Sequence, residues 1–225
     1  MSEAQQRDWR GWHRAYADPD SDLSHRLGHV RHRLSDALSE APPGPIRLIS
    51  LCAGEGRDVL GVLPGHPRRD DVTARLVELD PEIADVARTT AASLGLNRVE
   101  VVTGNAGLAA AYEGLVPADV VLACGIFGNV SESDIHRTIR GLPQLAKPGA
   151  SVLWTRHRSA PDVTPQIRAW FAESGFDEVA FDYEEGRRFG VGTHRFRGET
   201  QPFDASLRYF EFEPRGGGER EASDA

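Results

Sequence analysis

The sequence predicts an α/β fold: a largely parallel sheet with helices on both faces. Three observations carry this expectation. Between residues 46 and 212, short apolar runs alternate with segments of helical periodicity. The first apolar run breaks off into a small-residue turn, Cys52-Ala53-Gly54-Glu55-Gly56, and a helix-compatible stretch follows. Helix-starting residues stand directly before the helical stretches, Asp80-Pro81 and Ser131 among them.

The elements follow in order. Ala41-Pro42-Pro43-Gly44-Pro45 stops any helix before it. Residues 46–51 are expected as a buried strand, and residues 58–63 as a short helix halted by Pro64 and Gly65. Residues 74–79 are the next expected strand. Residues 81–94 are expected as a helix, with Ile83, Val86, Ala87 and Leu94 at helical spacing and Gly95 ending it. Strands are expected at 99–103, 119–124 and 151–155, and helices at 131–140 and 164–174. The last two strands are expected at 176–183 and 207–212, with residues 184–205 as a long connection between them. The first forty residues differ. They are rich in Arg, His and Trp, and Leu23, Leu27, Val30, Leu34 and Leu38 form a helical stripe. Residues 1–40 are expected as a helical lid on a main domain of residues 45–213, and residues 214–225 as a disordered tail.

Composition narrows the function. A chain of 225 residues, 40% hydrophobic and 27% charged, can bury one sizeable core. A net charge of −8 disfavours long nucleic acids, whose binding is dominated by phosphate neutralisation. There is no long apolar run for a membrane span and no signal-peptide pattern. The two cysteines, Cys52 and Cys124, make no disulfide framework, so a cytoplasmic setting is expected.

The glycine loop suits a nucleotide-like cofactor at the end of the first strand, where glycine lets the main chain turn sharply and a ligand approach it. A dinucleotide loop reads G-x-G-x-x-G. Here Gly54 and Gly56 are followed in register by Val59, which disfavours a nicotinamide dehydrogenase and leaves S-adenosylmethionine as the other reading.

With three further motifs, the stretch from Ile46 to Phe212 resembles class I S-adenosylmethionine-dependent methyltransferases. The motifs are Cys52-Ala53-Gly54-Glu55-Gly56, Val77-Glu78-Leu79-Asp80-Pro81, Gly104-Asn105-Ala106 and Cys124-Gly125-Ile126-Phe127-Gly128-Asn129. The resemblance implies a Rossmann-like seven-stranded sheet, mostly parallel, with an antiparallel last strand. It implies S-adenosyl-L-methionine as cofactor and S-adenosyl-L-homocysteine as product. The cofactor residues it implies are Cys52, Ala53, Gly54, Glu55, Gly56, Glu78, Leu79, Asn105, Ala106, Cys124 and Gly125. Two positions depart from the family pattern: Ser50 stands where the family has an acid that helps fix the methionine end, and Cys52 where it has a glycine.

The ligand's shape suggests roles. Ribose presents two adjacent hydroxyls that one carboxylate can accept together, which suits Glu78, leaving Asp80 to cap the next helix. The Asn105 side-chain oxygen suits the adenine amino group, and Asn105 equally suits a turn after Gly104. Cys52 and Cys124 are expected as small core residues at the ends of neighbouring central strands.

Ligands in open α/β sheets bind beyond the carboxyl ends of the strands. Four segments are expected there: 125–129, Arg156-His157-Arg158, the 184–205 connection, and the N-terminal segment with Trp9, Trp12, His13 and Tyr16. Methyl transfer needs the reacting atoms held in line, and a general base only when the acceptor carries a proton. His157 and His194 are the first candidates for that role, with His13 and Tyr16 behind them. Arg156-His157-Arg158 can equally be a solvated loop or an anion site. Arg156, Arg158, Arg187, Arg188 and Arg195 share the expected rim, which points to a small-molecule acceptor bearing a carboxylate or phosphate. His25, His29 and His32 sit at near-helical spacing with no sequence partner to complete a metal site, and are expected as a solvated face. The expected function is methyl transfer to an O or N atom of a small molecule. The alternatives are cyclisation or elimination chemistry on the same fold, and a non-catalytic cofactor-binding module.

Overall fold

The computed structural model describes residues 14–212. Seven strands, β1 (Ile46–Leu51), β2 (Val72–Glu78), β3 (Val99–Thr103), β4 (Ala118–Ala123), β5 (Ala146–His157), β6 (Phe176–Asp182) and β7 (Phe189–Phe196), form one sheet in the order β3-β2-β1-β4-β5-β7-β6. Every neighbouring pair is parallel except those of β7, which runs antiparallel to both β5 and β6. The α-helices are α1 (Asp22–Glu40), α2 (Val59–Val62), α3 (Pro81–Ser93), α4 (Glu132–Gly141) and α5 (Thr164–Glu173).

Strand alternation sorts the core onto two faces. Ile46 and Leu48 of β1, Ala74 and Leu76 of β2, and Val120 and Leu122 of β4 point to one side. There they meet Val30, Leu34 and Leu38 of α1 and Ala87 and Ala91 of α3. Ile49, Leu51, Val121, Ala123, Val152 and Trp154 point to the other, onto Ile135 and Ile139 of α4 and Ile167 and Phe171 of α5. Each of the Val, Leu, Ile and Phe side chains among them contributes about 1.5–3 kcal/mol by leaving water. The caps read from sequence are in place. The Asp80 side chain accepts from the N–H groups of Glu82 and Ile83, with Pro81 opening α3, and Ser131 accepts from Asp134. Val86, expected on the buried stripe of α3, is exposed; Ala84 and Ala91 take the inner face with Ile83 and Ala87.

The last strand is a correction. It is residues 189–196, inside the expected connection, and not residues 207–212. Gly190 and Gly192 read as loop residues, yet each opens a strand position to an aromatic ring from the neighbouring strand. A Cβ on Gly192 would lie 2.2 Å from the Trp154 indole, and one on Gly190 would lie 2.6 Å from the Phe181 ring. Residues 207–212 instead lie against the segment after β3 and against α4, where Arg137 and Thr138 donate to Tyr209 O. Tyr209 donates to Gly107 O at 2.8 Å, Ala109 donates to Leu207 O at 2.9 Å, and Arg208 makes an isolated bridge with Leu108.

The described part of the expected lid is built into the domain. α1 packs on the sheet face against β5, β7 and α2. At the carboxyl edge α1 itself reaches the loop after β1, where Arg31 donates to Arg57 O, and the turn Arg14–Ala17 precedes it. Trp9, Trp12, His13 and the expected tail at 214–225 lie outside the described residues. No described helix is long and apolar enough to cross a membrane.

Candidate functional site

β1 ends in a loop with three left-handed residues in five: Cys52 at φ 53°, Gly54 at φ 57° and Gly56 at φ 69°. Cys52 is the one non-glycine residue with positive φ among the described residues, at the position where the resemblance expects glycine. An L-residue in this region costs about 1–2 kcal/mol. At Gly56 a Cβ would also lie 3.0 Å from Leu60 and Leu76 side-chain carbons, so the loop needs glycine there for packing as well as for φ.

Glu78, at the carboxyl end of β2, ties the region together. Its Oε2 accepts from Gly54 N at 2.9 Å, its Oε1 from Asp80 N at 2.9 Å, and its carbonyl from Gly104 N at 2.8 Å. Three motifs far apart in sequence thus meet on one residue. Each carboxylate oxygen keeps an unused lone pair. Leu79 beside it is 56% exposed, an apolar surface at the opening. Asn105 takes the turn role: its Oδ1 accepts from Gly107 N at 2.9 Å, leaving one lone pair and the exposed amide NH2 for a ligand. Ala106 is buried, and its carbonyl accepts from the Tyr112 hydroxyl at 2.7 Å.

β4 lies beside β1, so Cys52 and Cys124 end neighbouring central strands. Burial pushes both thiols up, with the Glu78 charge adding at Cys52, and they stay protonated. Gly125, at φ 79°, donates to Thr155 Oγ1 at 2.8 Å, and its carbonyl accepts from Asn129 Nδ2 at 2.7 Å. The loop after β4 is thereby fastened to the end of β5.

The leading turn closes this edge from above. Arg26 donates to the Tyr16 hydroxyl at 3.3 Å, and the Arg57 guanidinium lies over the Tyr16 ring at 5.0 Å. Burial raises the Tyr16 pKa, Arg26 opposes, and the charge of Asp58 adds to the rise. Tyr16 therefore stays protonated at neutral pH, which suits a hydroxyl donor and not a base. Asp58 was not singled out by sequence, where it read only as the start of a helix. It is buried, its Oδ1 accepts from Val59 N at 2.7 Å, and burial raises its pKa against the opposing effect of backbone bonds and of Arg31 and Arg26.

The rim over β5 separates the remaining candidates. His157 is exposed at the carboxyl end of β5, and its ring lies against Gly128 of the β4 loop. Arg156 reaches the same loop, donating from Nη1 to Phe127 O at 2.6 Å; its Nε is buried without a partner, and burial lowers its pKa.

His194 is a correction: it belongs to the core and does not reach the rim. Its register partner on β5 is Val152, in mid-sheet, and only 1% of it is exposed. Its ring stacks on Phe171 at 4.3 Å, and Trp154 Nε1 donates to its Nδ1 at 3.1 Å. That bond puts the ring proton on Nε2, which is buried without a partner and 3.8 Å from Glu178. Burial pushes its pKa down to about 4.

Three arginines also leave the expected anion site. Arg195 pairs with Glu40 and Gly149 O at the opposite edge of the sheet. Arg187 is taken by Glu184, Asp22 and His25, and Arg158 by Asp162 and the Tyr183 ring. The histidine series is not a plain solvated face either. Glu184 accepts from His25 at 3.0 Å and from His29 at 2.8 Å, latching α1 to the turn between β6 and β7; His32 alone is largely exposed. Among the described residues no group of His, Cys, Asp and Glu has the arrangement of a metal site.

No family model matches the chain, and no curated protein matches it in sequence. Solved structures do match in fold. The magnesium protoporphyrin IX methyltransferase of Synechocystis with bound S-adenosylmethionine superposes at a TM-score of 0.65 and 12% identity, over 84% of this chain and 90% of that one. An O-methyltransferase family protein from Burkholderia thailandensis matches at 0.58 and 22% identity, over 87% and 71%. The CurJ carbon methyltransferase matches at 0.62 and 17% identity, over 82% and 57%. The chain has the Rossmann-like fold of these enzymes, with strand order 3-2-1-4-5-7-6 and an antiparallel β7. An O-methyltransferase family protein and a carbon methyltransferase stand side by side among them, so the shared fold selects no acceptor.

Proposed function

We propose that the chain is an S-adenosylmethionine-dependent methyltransferase acting on an O or N atom of a small molecule that carries an anionic group. The carrying observation is Glu78. Its two oxygens are each held by one backbone N–H at the mouth of the glycine loop, leaving paired acceptor sites for two adjacent hydroxyls. The positive-φ loop at Gly54 and the exposed Leu79 suit the rest of a nucleoside. When bound, S-adenosylmethionine supplies a methyl group already activated by its sulfonium.

The chain's own groups then hold the acceptor and manage its proton. The half-buried Arg156, with its unpartnered Nε, suits a carboxylate or phosphate of the acceptor. Exposed Arg188 supports it from the adjoining turn, whose backbone accepts from Arg158 N at 2.8 Å. His157 beside the β4 loop suits removal of an acceptor proton at neutral pH. Incubation with S-adenosylmethionine and a panel of small acids and their neutral analogues tests the reading. Methylated acid together with S-adenosylhomocysteine is expected; methylthioadenosine would indicate elimination chemistry instead. His157→Gln is expected to lower kcat by about 100-fold with KM little changed. Methylation confined to the neutral analogues would defeat the anionic-acceptor reading.

A further inference from the structure

Position 50 leaves the end of β1 without a carboxylate: Ser50 is buried and neutral. The amino-acid end of S-adenosylmethionine is a zwitterion, and burying it requires charges of both signs. Glu78 occupies the β2 side of the loop. On the other side of the loop Arg26 donates to the Tyr16 hydroxyl and the Arg57 guanidinium lies over the Tyr16 ring at 5.0 Å, with Asp58 next to Arg57 in the chain; the charges of Asp58 and Arg26 are felt at Cys124. Glu78 ends β2 and Cys124 follows β4, two strand places away and on the order of 10 Å, a span that a ribose, a thioether chain and an amino acid cover.

Asp58 is the only one of these groups that is a buried carboxylate. Its hydrogen bonds go to backbone N–H, and among the described residues no cation forms an ion pair with it; Arg26 and Arg31 act on it from farther off. An unpaired buried carboxylate is costly, and an incoming ammonium offsets that cost. Arg26 and the Tyr16 hydroxyl are donors already joined to each other, the arrangement a carboxylate accepts.

We propose that Asp58 takes the ammonium, and that Arg26 with Tyr16 takes the carboxylate, of the cofactor's amino-acid end. The inference rests on the methyltransferase reading above and goes beyond it. It moves the acidic role from position 50 to a side chain two residues past Gly56, and it brings the leading turn of the chain into the cofactor site.

The test is calorimetric and needs no turnover. The full chain and its Asp58→Asn and Arg26→Gln variants are titrated with S-adenosylhomocysteine and with methylthioadenosine, which keeps adenine, ribose and thioether but lacks the amino acid. The unaltered chain is expected to prefer S-adenosylhomocysteine. Each substitution is expected to weaken that ligand by about tenfold or more while leaving methylthioadenosine within about twofold. Arg26→Gln keeps the test decisive should Asp58→Asn disturb α2 and melt early. Equal loss for both ligands, or no loss for either, overturns the assignment while leaving the cofactor reading intact. Failure of the unaltered chain to bind either ligand overturns both.

Discussion

The two halves of the sheet's carboxyl edge are built by different means. Over β1, β2 and β3 the edge is mostly backbone: left-handed loop residues, N–H groups held by Glu78, an Asx turn at Asn105 and a capped α3. Over β5, β6 and β7 it is made by side chains. Arginines are tied to carboxylates and Glu184 latches α1 there, and beneath them lies a core in which Trp154 packs among Phe171, Phe181 and His194. A backbone-built half depends on a few residues with special φ or small size. A side-chain-built half depends on partners drawn from several elements. That difference sets how each half responds to mutation.

The largest expected effect lies in the side-chain half. Gly192→Val drives a side chain into the Trp154 indole, which Phe171 and His194 hold in place, and overpacking of this kind costs about 3 kcal/mol or more. Denaturant unfolding measures it; a loss under about 1 kcal/mol would mean that Trp154 is free to move and that this half is not rigidly packed.

Next comes the pH dependence of the same core. His194 has its folded pKa depressed to about 4 from the ordinary 6.5, so the folded state binds fewer protons than the unfolded chain. The stability is fully present above about pH 6.5 and is lost as pH falls toward 4, by at most about 3 kcal/mol. His194→Phe should flatten that part of the stability–pH curve. An unchanged slope would mean that the ring is not held neutral.

A smaller effect is expected from the key residue of the backbone half. Glu78→Ala removes the acceptor of Gly54 N and Asp80 N as well as the ribose partner. S-adenosylhomocysteine affinity should fall by about 1.5–3 kcal/mol with the far rim unaffected. Unchanged affinity would move the ribose role to another residue.

The smallest is Cys52→Gly. Relief of the left-handed conformation outweighs the lost thiol packing, giving about 0.5–1 kcal/mol of added stability, whereas Cys52→Val should cost about 1–2 kcal/mol. Equal effects of the two would show that φ 53° carries no strain at this position.

The same contrast explains what could be read beforehand. Asp80-Pro81, Ser131 and the Gly54–Gly56 pair act on their own neighbours, so their spacing announces them. β7 was missed because Gly190 and Gly192 make sense as strand residues only once Phe181 and Trp154 stand beside them. Residues 207–212 alternate like a strand but find their partners at 107–109, away from the main sheet. Asp58 carried no signal beyond helix initiation, because what marks it is its burial, which the folded chain decides.

By itself the sequence determined the α/β order up to β6, the glycine turn and the helix caps, because these rest on local backbone preference and on strand alternation; the role of Glu78 beside that turn came from the family resemblance. Only the tertiary structure decided which polar side chains face the cleft. His157 and Arg156 stay at the rim, while His194 is sealed under Phe171 and Arg195 is drawn to Glu40 at the far edge. Burial and pairing depend on residues distant in the chain, and no local pattern encodes them.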